Sequence, residues 1–362
     1  MENLVESINV QLSYFSGKKI FVTGHTGFKG SWLVAWLSQL RAQVKGYALE
    51  PEAHQILYRE IEREIEIDSV LADICDRDRL KHELVAFQPD YVFHLAAQPL
   101  VRLSYEQAPE TFQVNALGTT YLLEAIRHLS GPCSVVLITT DKVYQNQEWE
   151  YPYRETDPLG GYDPYSASKA CAELIISSYR NSFFHPSAIS AHQKVLASAR
   201  AGNVIGGGDW AKDRIIPDIV RALRESKPVI VRNPGAVRPW QHVLEPLAGY
   251  LQLALRMSNA EKFGQAWNFG PPTEDVLSVE QLVLNAIKVW GRGDYQVPSL
   301  ADQPHEANLL KLDISKTVSQ LGWHPRWNAQ QAIERTVKWY QAHNEGKSAW
   351  SLMTKNIEEY AQ

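Results

Sequence analysis

The chain has 362 residues, 44% hydrophobic and 21% charged, with a formal net charge of −5. The length is enough for one large α/β domain with a smaller second lobe, and the composition is ordinary for a globular protein; the slight acidity argues against general nucleic-acid binding, and no apolar run is long enough to span a bilayer. The acidic N-terminus lacks a hydrophobic signal region, and Cys75, Cys133 and Cys171 form no CxxC pair, so they read as buried small side chains in a reducing, cytoplasmic setting, with no metal expected.

Residues Met1 to Ser16 form a polar lead-in. Lys18 to Thr23 reads as the first strand, rich in β-branched and aromatic residues. Gly24, Gly27 and Gly30 follow with GxxGxxG spacing, and an amphipathic helix beginning near Phe28 comes next. Glycines allow a tight turn and close approach to a pyrophosphate, and the helix N-terminus favours an anion. His25 and Lys29 in this loop read as packing or surface residues. Val44 to Leu49 is the second strand; Glu50 is the nearest acid after it and favours NAD over NADP, since no arginine cluster follows to hold a 2′-phosphate. Val70 to Ile74 is expected as a third strand, with Asp73 either contacting adenine or capping the helix that starts near Asp76. Asp90 to Leu95 runs into Ala96-Ala97-Gln98, small residues against which a flat cofactor can lie. One helix is expected from about Ser104 to His128, with Asn115 at its centre in a packing or hydrogen-bonding role. Ser134 to Ile138 is an apolar strand that ends in Thr139-Thr140-Asp141-Lys142-Val143-Tyr144. The alternation of strands and helices through Ile176 predicts a doubly wound parallel sheet, with ligands beyond the carboxyl ends of its strands.

After Ala201 the pattern changes to a glycine-rich stretch, Gly202 to Trp210, and a basic segment. Arg221 and Arg224 read as solvated helix charges. Arg214 and Arg238 flank prolines and loops, and with Asn and Trp nearby suit a phosphate and a flat base. Helices are expected at Val243–Met257, Val279–Val289 and Ala329–His343, a strand end at Trp267–Gly270, and a short final helix. Residues 17–200 are assigned to a Rossmann-type NAD-binding domain, 201–345 mainly to a substrate-binding lobe, and 1–16 and 346–362 to terminal extensions.

Tyr165-Ser166-Ala167-Ser168-Lys169 places a phenol and an amine one helical turn apart. A phenol is a poor base at neutral pH, and an ammonium nearby would lower its pKa. With Thr140 bonding the same substrate oxygen, the pair can deprotonate an alcohol while NAD takes the hydride. Asp141 and Lys142 exceed what alcohol oxidation needs. Elimination of water beside a new ketone needs one group to remove the α-proton and another to protonate the leaving hydroxyl; otherwise Asp141 caps a turn and Lys142 faces solvent.

The segments TGHTGFKGSWL, HLAAQPLVR, TTDKVY, YSASK, GNVIGGGDW and RPWQHVLEPL resemble those of the extended short-chain dehydrogenase/reductase superfamily of sugar-nucleotide-modifying type, and more narrowly the CDP-glucose 4,6-dehydratase family, from about Gly17 to Tyr340. The resemblance implies a hydro-lyase of deoxysugar and polysaccharide biosynthesis that binds NAD tightly and regenerates it in each turnover. It implies catalytic roles for Thr140, Asp141, Lys142, Tyr165 and Lys169. Gly24, Gly27, Phe28, Gly30, Asp73, Ile74, Ala96 and Ala97, with Tyr165 and Lys169, become the candidates for holding NAD. Gln98, Asn203, Arg214, Arg238 and His242 become the candidates for holding CDP-glucose. It further implies a homodimer built on the helices near 104–128 and 162–182, or a tetramer of two such dimers. A 4-epimerase or another dehydratase of the same superfamily is the alternative; a non-catalytic NAD-sensing regulator is a remoter one.

Overall fold

The structure, a computed structural model, describes residues 12–53, 55–298 and 309–362; residues 1–11 of the polar lead-in lie outside them. Seven parallel strands form the central sheet: β1 (Lys19–Thr23), β2 (Gln43–Ala48), β3 (Ile67–Leu71), β4 (Tyr91–His94), β5 (Cys133–Ile138), β6 (Lys194–Ala201) and β7 (Ala266–Phe269). Their order is β7-β6-β5-β4-β1-β2-β3, so the winding reverses between β1 and β4. A parallel sheet is covered on both faces and needs apolar residues on both. β1 shows this directly, with Ile20 and Val22 packed in one core and Phe21 in the other.

The helices around the sheet are α1 (Phe28–Gln39), α2 (Arg77–Phe87), α3 (Gly118–Ile126), α4 (Pro164–Ser182), α5 (Ile215–Arg224), α6 (Leu244–Asn259), α7 (Val279–Trp290), α8 (Ala329–Asn344) and α9 (Ala349–Ala361). α2, α3 and α4 contribute to one core, and α1, α6, α8 and α9 to the other. Two expectations change in detail, and one strand is new. The third strand lies three residues earlier than Val70–Ile74, because register with β2 pairs Val44 with Ile67. The single helix expected over 104–128 is a chain of shorter pieces, Val101–Glu106, Ala108–Phe112 and a π-turn over Gln113–Leu117 before α3. Pro109 sits in the first turn of its piece, where its missing N–H costs nothing but the preceding helix cannot continue. The new strand is β6, whose Lys194, Ser198 and Arg200 disguise its burial in the sequence.

The end of the described chain is part of the core. Tyr360 of α9 meets Trp36 of α1 edge-on, with ring centroids 5.9 Å apart. Glu245, fully buried at the start of α6, holds this corner. It accepts hydrogen bonds from the Trp327 amide at 2.7 Å and from the Tyr360 hydroxyl at 2.7 Å. Glu245→Ala strands both donors, at about 1–3 kcal/mol each. Urea denaturation should show a loss of roughly 2–5 kcal/mol, and an unchanged midpoint would contradict this role.

Candidate active site

The glycine loop leaves β1 at Gly24, whose φ is 74° and whose added Cβ would stand 2.6 Å from the Ala96 amide nitrogen. Only glycine permits that backbone and that approach. A Cβ on Gly30 would fall 2.0 Å from the Gly24 carbonyl oxygen, so α1 can press onto the loop only with glycine there. α1 begins after Gly27 with no side-chain cap and no acid in its first turn, so its amides remain open to an anion. This bare cradle, at the point where the strand order reverses, fits a dinucleotide pyrophosphate. Phe28 opens the helix, and Ala96 and Ala97 extend β4 beside the loop, the Ala96 amide donating to Thr23 Oγ at 3.2 Å. Ile74 is buried against Gly118. Asp73 keeps an exposed carboxylate that accepts from the Cys75 amide at 2.8 Å, while Asp76 caps α2. At the end of β2, Leu49 is exposed and Glu50 faces Arg59 at 3.6 Å.

β5 delivers the polar segment. Thr140 begins a short 3-10 turn over Asp141–Val143, and its hydroxyl donates to Asp141 at 2.9 Å. Asp163 caps α4 by accepting from the Ser166 amide at 2.9 Å, with Pro164 at the first helical position. The buried stripe of α4, Ser166, Lys169, Ala170, Glu173 and Ile176, follows helical spacing, so Lys169 is turned inward, its ammonium 3.4 Å from the Ile138 carbonyl. Tyr165 lies within hydrogen-bonding reach of Thr140. The structure thus brings together Thr140, Asp141, Tyr165 and Lys169, with Lys142 and Arg238 close enough to Asp141 to bias its ionisation.

The electrostatics differ from expectation at Tyr165. Burial pushes its pKa up to about 12, the Thr140 bond and Arg214 oppose this, and the Asp141 carboxylate adds to it. Lys169 is itself pushed down to about 8 by burial, with Glu173 opposing. Burial also raises Asp141, against the pull of Lys142, Thr140 and Arg238. A carboxyl held toward its protonated form suits proton donation.

Two candidates for the sugar nucleotide are placed otherwise. The Gln98 amide is spent locally, donating to the Leu100 carbonyl at 3.1 Å and Thr111 Oγ at 2.9 Å and accepting from the Leu100 amide. Its backbone is clamped by Asn115 of the π-turn, which also donates to Ser168 Oγ at 2.9 Å. Gln98 therefore shapes the loop over the site. His242 is fully buried between Trp32 and Trp327, with centroids 5.7 and 4.9 Å away. Pairing of Gln241–His242 with Val204–Ile205 turns it into the core. Arg214 is half-buried and paired with Asp209 at 3.0 Å, Arg238 is half-buried, and the Asn203 carbonyl accepts from the Gln241 amide at 3.0 Å.

Burial lowers His242 to about 3, His94 to about 3 and His25 to about 4. All three stay neutral when folded but take up protons below about 6.5 when unfolded. The unfolded state then binds more protons, so stability is complete above pH ~6.5 and falls toward pH ~4. Each histidine should cost roughly 2 kcal/mol at pH ~5. Urea midpoints between pH ~7 and ~5 should fall less steeply in His242→Phe; equal slopes would contradict the assignment.

Sequence reasoning missed Lys29 and Glu173. Lys29, read as packing or surface, has its ammonium in the site: burial lowers it to about 7, Arg214 and Lys169 lower it further, and Asp141 opposes. Its spacing one residue before Gly30 signals only loop membership; the convergence is tertiary. Glu173 was visible as one turn beyond Lys169, but its partners were not.

Comparison with known proteins agrees with this geometry. The family model for GDP-mannose 4,6 dehydratase matches residues 21–336. A CDP-glucose 4,6-dehydratase of Salmonella typhimurium is 49% identical, over 97% of this chain and 98% of its own. A dTDP-glucose 4,6-dehydratase of Haemophilus influenzae is 27% identical, over 89% and 97%. Among solved structures, a dTDP-glucose 4,6-dehydratase of Streptomyces venezuelae with NAD bound superposes with a TM-score of 0.78 at 23% identity, covering 92% of this chain and 99% of that one. The cradle, the Tyr/Lys helix and the matched length together place the chain in the sugar-nucleotide 4,6-dehydratase family that this model describes, within the extended short-chain dehydrogenase/reductase superfamily.

Proposed function

We propose that this chain removes water from CDP-glucose to give CDP-4-dehydro-6-deoxyglucose. The observation that carries the reading is a buried Asp141 beside Thr140 in a chain of which 97% matches a CDP-glucose 4,6-dehydratase. NAD bound on the glycine cradle would supply the redox chemistry, accepting the C4 hydride and giving it back at C6 once water has left, with a proton returning to C5. Tyr165 takes the proton of the C4 hydroxyl, with Thr140 bonding the same oxygen and Lys169 placed to hold the cofactor's ribose. The ketone acidifies the C5 hydrogen, which Lys142 removes. Asp141 gives its proton to the departing C6 hydroxyl, so water leaves. Asn203, Arg214 and Arg238 are assigned to the nucleotide diphosphate, the arginines by charge.

A homodimer is the assembly this reading favours. Leu117 and Leu174 are 46% and 59% exposed on the segments expected to pair, a cost that a helix-on-helix interface would remove. No helix among the described residues is long and apolar enough to cross a membrane, and with three free cysteines the cytoplasm is the proposed compartment.

The test is incubation with NAD and, separately, CDP-, dTDP-, UDP- and GDP-glucose in deuterated water. Mass spectrometry should find loss of one water from CDP-glucose alone, with one deuterium at C5. An altered sugar of unchanged mass would indicate an epimerase, and no turnover would refute the proposal.

A further inference from the structure

Behind the catalytic segment lies a buried polar network that the reaction chemistry does not use. Glu173 on α4 and Arg200 on β6 are each 3% exposed. They form a bidentate pair, Nε to Oε1 and Nη2 to Oε2, both at 2.9 Å. The Glu173 carboxylate also accepts from Thr139 Oγ at 2.6 Å and Ser198 Oγ at 2.8 Å. Burial opposes ionisation there, but Arg200 and the two hydroxyls hold the carboxyl below its usual range. Arg200 Nη1 donates to the Tyr144 hydroxyl at 2.9 Å, and that hydroxyl donates to Asn268 Oδ1 of β7 at 2.7 Å.

Thr139 and Tyr144 are the two ends of the segment that carries Thr140, Asp141 and Lys142. Glu173 is one turn beyond Lys169 and two beyond Tyr165 on α4. One ion pair therefore ties both ends of the elimination segment to the helix that bears the oxidation pair. A buried pair of this kind stabilises little compared with apolar residues of equal volume, so its consequence is sought in geometry. Misplacing a catalytic group by about 1 Å can cost roughly 10²-fold.

We infer that Glu173 and Arg200 are positioning residues: the pair clamps the Asp141–Lys142 turn in register with Tyr165 and Lys169, and so sets how fast the oxidised sugar proceeds to water loss. The inference rests on the dehydratase reading. It predicts that loosening either end slows elimination more than oxidation.

Tyr144→Phe and Thr139→Val each cut one tie and leave the ion pair intact, so both variants should fold with melting temperatures close to the parent; Glu173→Gln cuts the centre. Steady-state kinetics on CDP-glucose are read together with the absorbance of reduced nicotinamide during turnover. Expected are a kcat for water loss about 10-fold lower, a KM within about twofold, and a severalfold larger fraction of enzyme holding reduced cofactor. A merely structural weakening would lower active-site content and leave that fraction unchanged. Parent-like kcat in Tyr144→Phe and Thr139→Val, or an unchanged reduced fraction, overturns the clamp. Absence of water loss in the parent instead overturns the dehydratase reading, which separates the two failures.

Discussion

Tyr165→Phe lowers the rate of water loss from CDP-glucose by about 10²–10⁴-fold, the range for removing a positioned general base. The ring and its packing remain, so folding and cofactor binding should persist. The chemistry cannot: the variant loses the hydroxyl that lies within reach of Thr140, one helical turn before Lys169. Because burial holds the phenol toward its protonated form, at about 12, the rate of the parent should climb with pH until another group limits it. In Tyr165→Phe that climb should vanish. Single-turnover measurement of reduced nicotinamide is decisive, since this variant should form almost none. A variant that still reduces its cofactor at the parental rate would place the base elsewhere.

Asp141→Asn gives a different failure. The amide keeps the shape and can still bond Thr140, so C4 oxidation should proceed. It cannot deliver an acidic proton to the C6 hydroxyl, so water loss should fall by about 10²–10⁴-fold. Reduced nicotinamide should then accumulate, and C5 should still take up solvent deuterium through Lys142. The sign of the pH effect follows from burial, which raises the Asp141 pKa: the competent protonated form is present at low pH and is lost as pH rises through that raised value. The parent should show this falling limb in elimination and the variant should not. Equal loss of oxidation and elimination would show that Asp141 orders the site as a whole.

What could be read from the chain is what local pattern determines. The glycine loop stands between a β-branched strand and an amphipathic helix, and the YxxxK pair needs only helical spacing. What could not be read depends on register and on contacts across the sheet. Val70–Ile74 is as apolar as a strand should be, yet pairing with β2 selects Ile67–Leu71. His242 follows Arg238 and Trp240 in a segment that looks ready for a ligand, and a two-residue ladder turns it inward. Arg200 makes β6 look polar in isolation; its charge is satisfied only by Glu173, on a helix that precedes it in the chain. Lys29 enters the site because α1, β5 and α4 converge there, which no spacing along one element reveals.

The edge-on contact of Trp36 with Tyr360 joins α1, which carries the cofactor cradle at its other end, to α9. A nascent chain emerging from the ribosome therefore cannot finish the core under its own glycine loop until α9 has been made. Such long-range closure slows folding and leaves apolar indole surface open during synthesis. A fragment stopping after β6 would carry the whole nucleotide fingerprint, yet expose Trp32 and Trp36 in place of a packed face. For recombinant work, the cofactor-binding half is not a severable module, and aggregation of such a fragment would report missing helices rather than a defective nucleotide site.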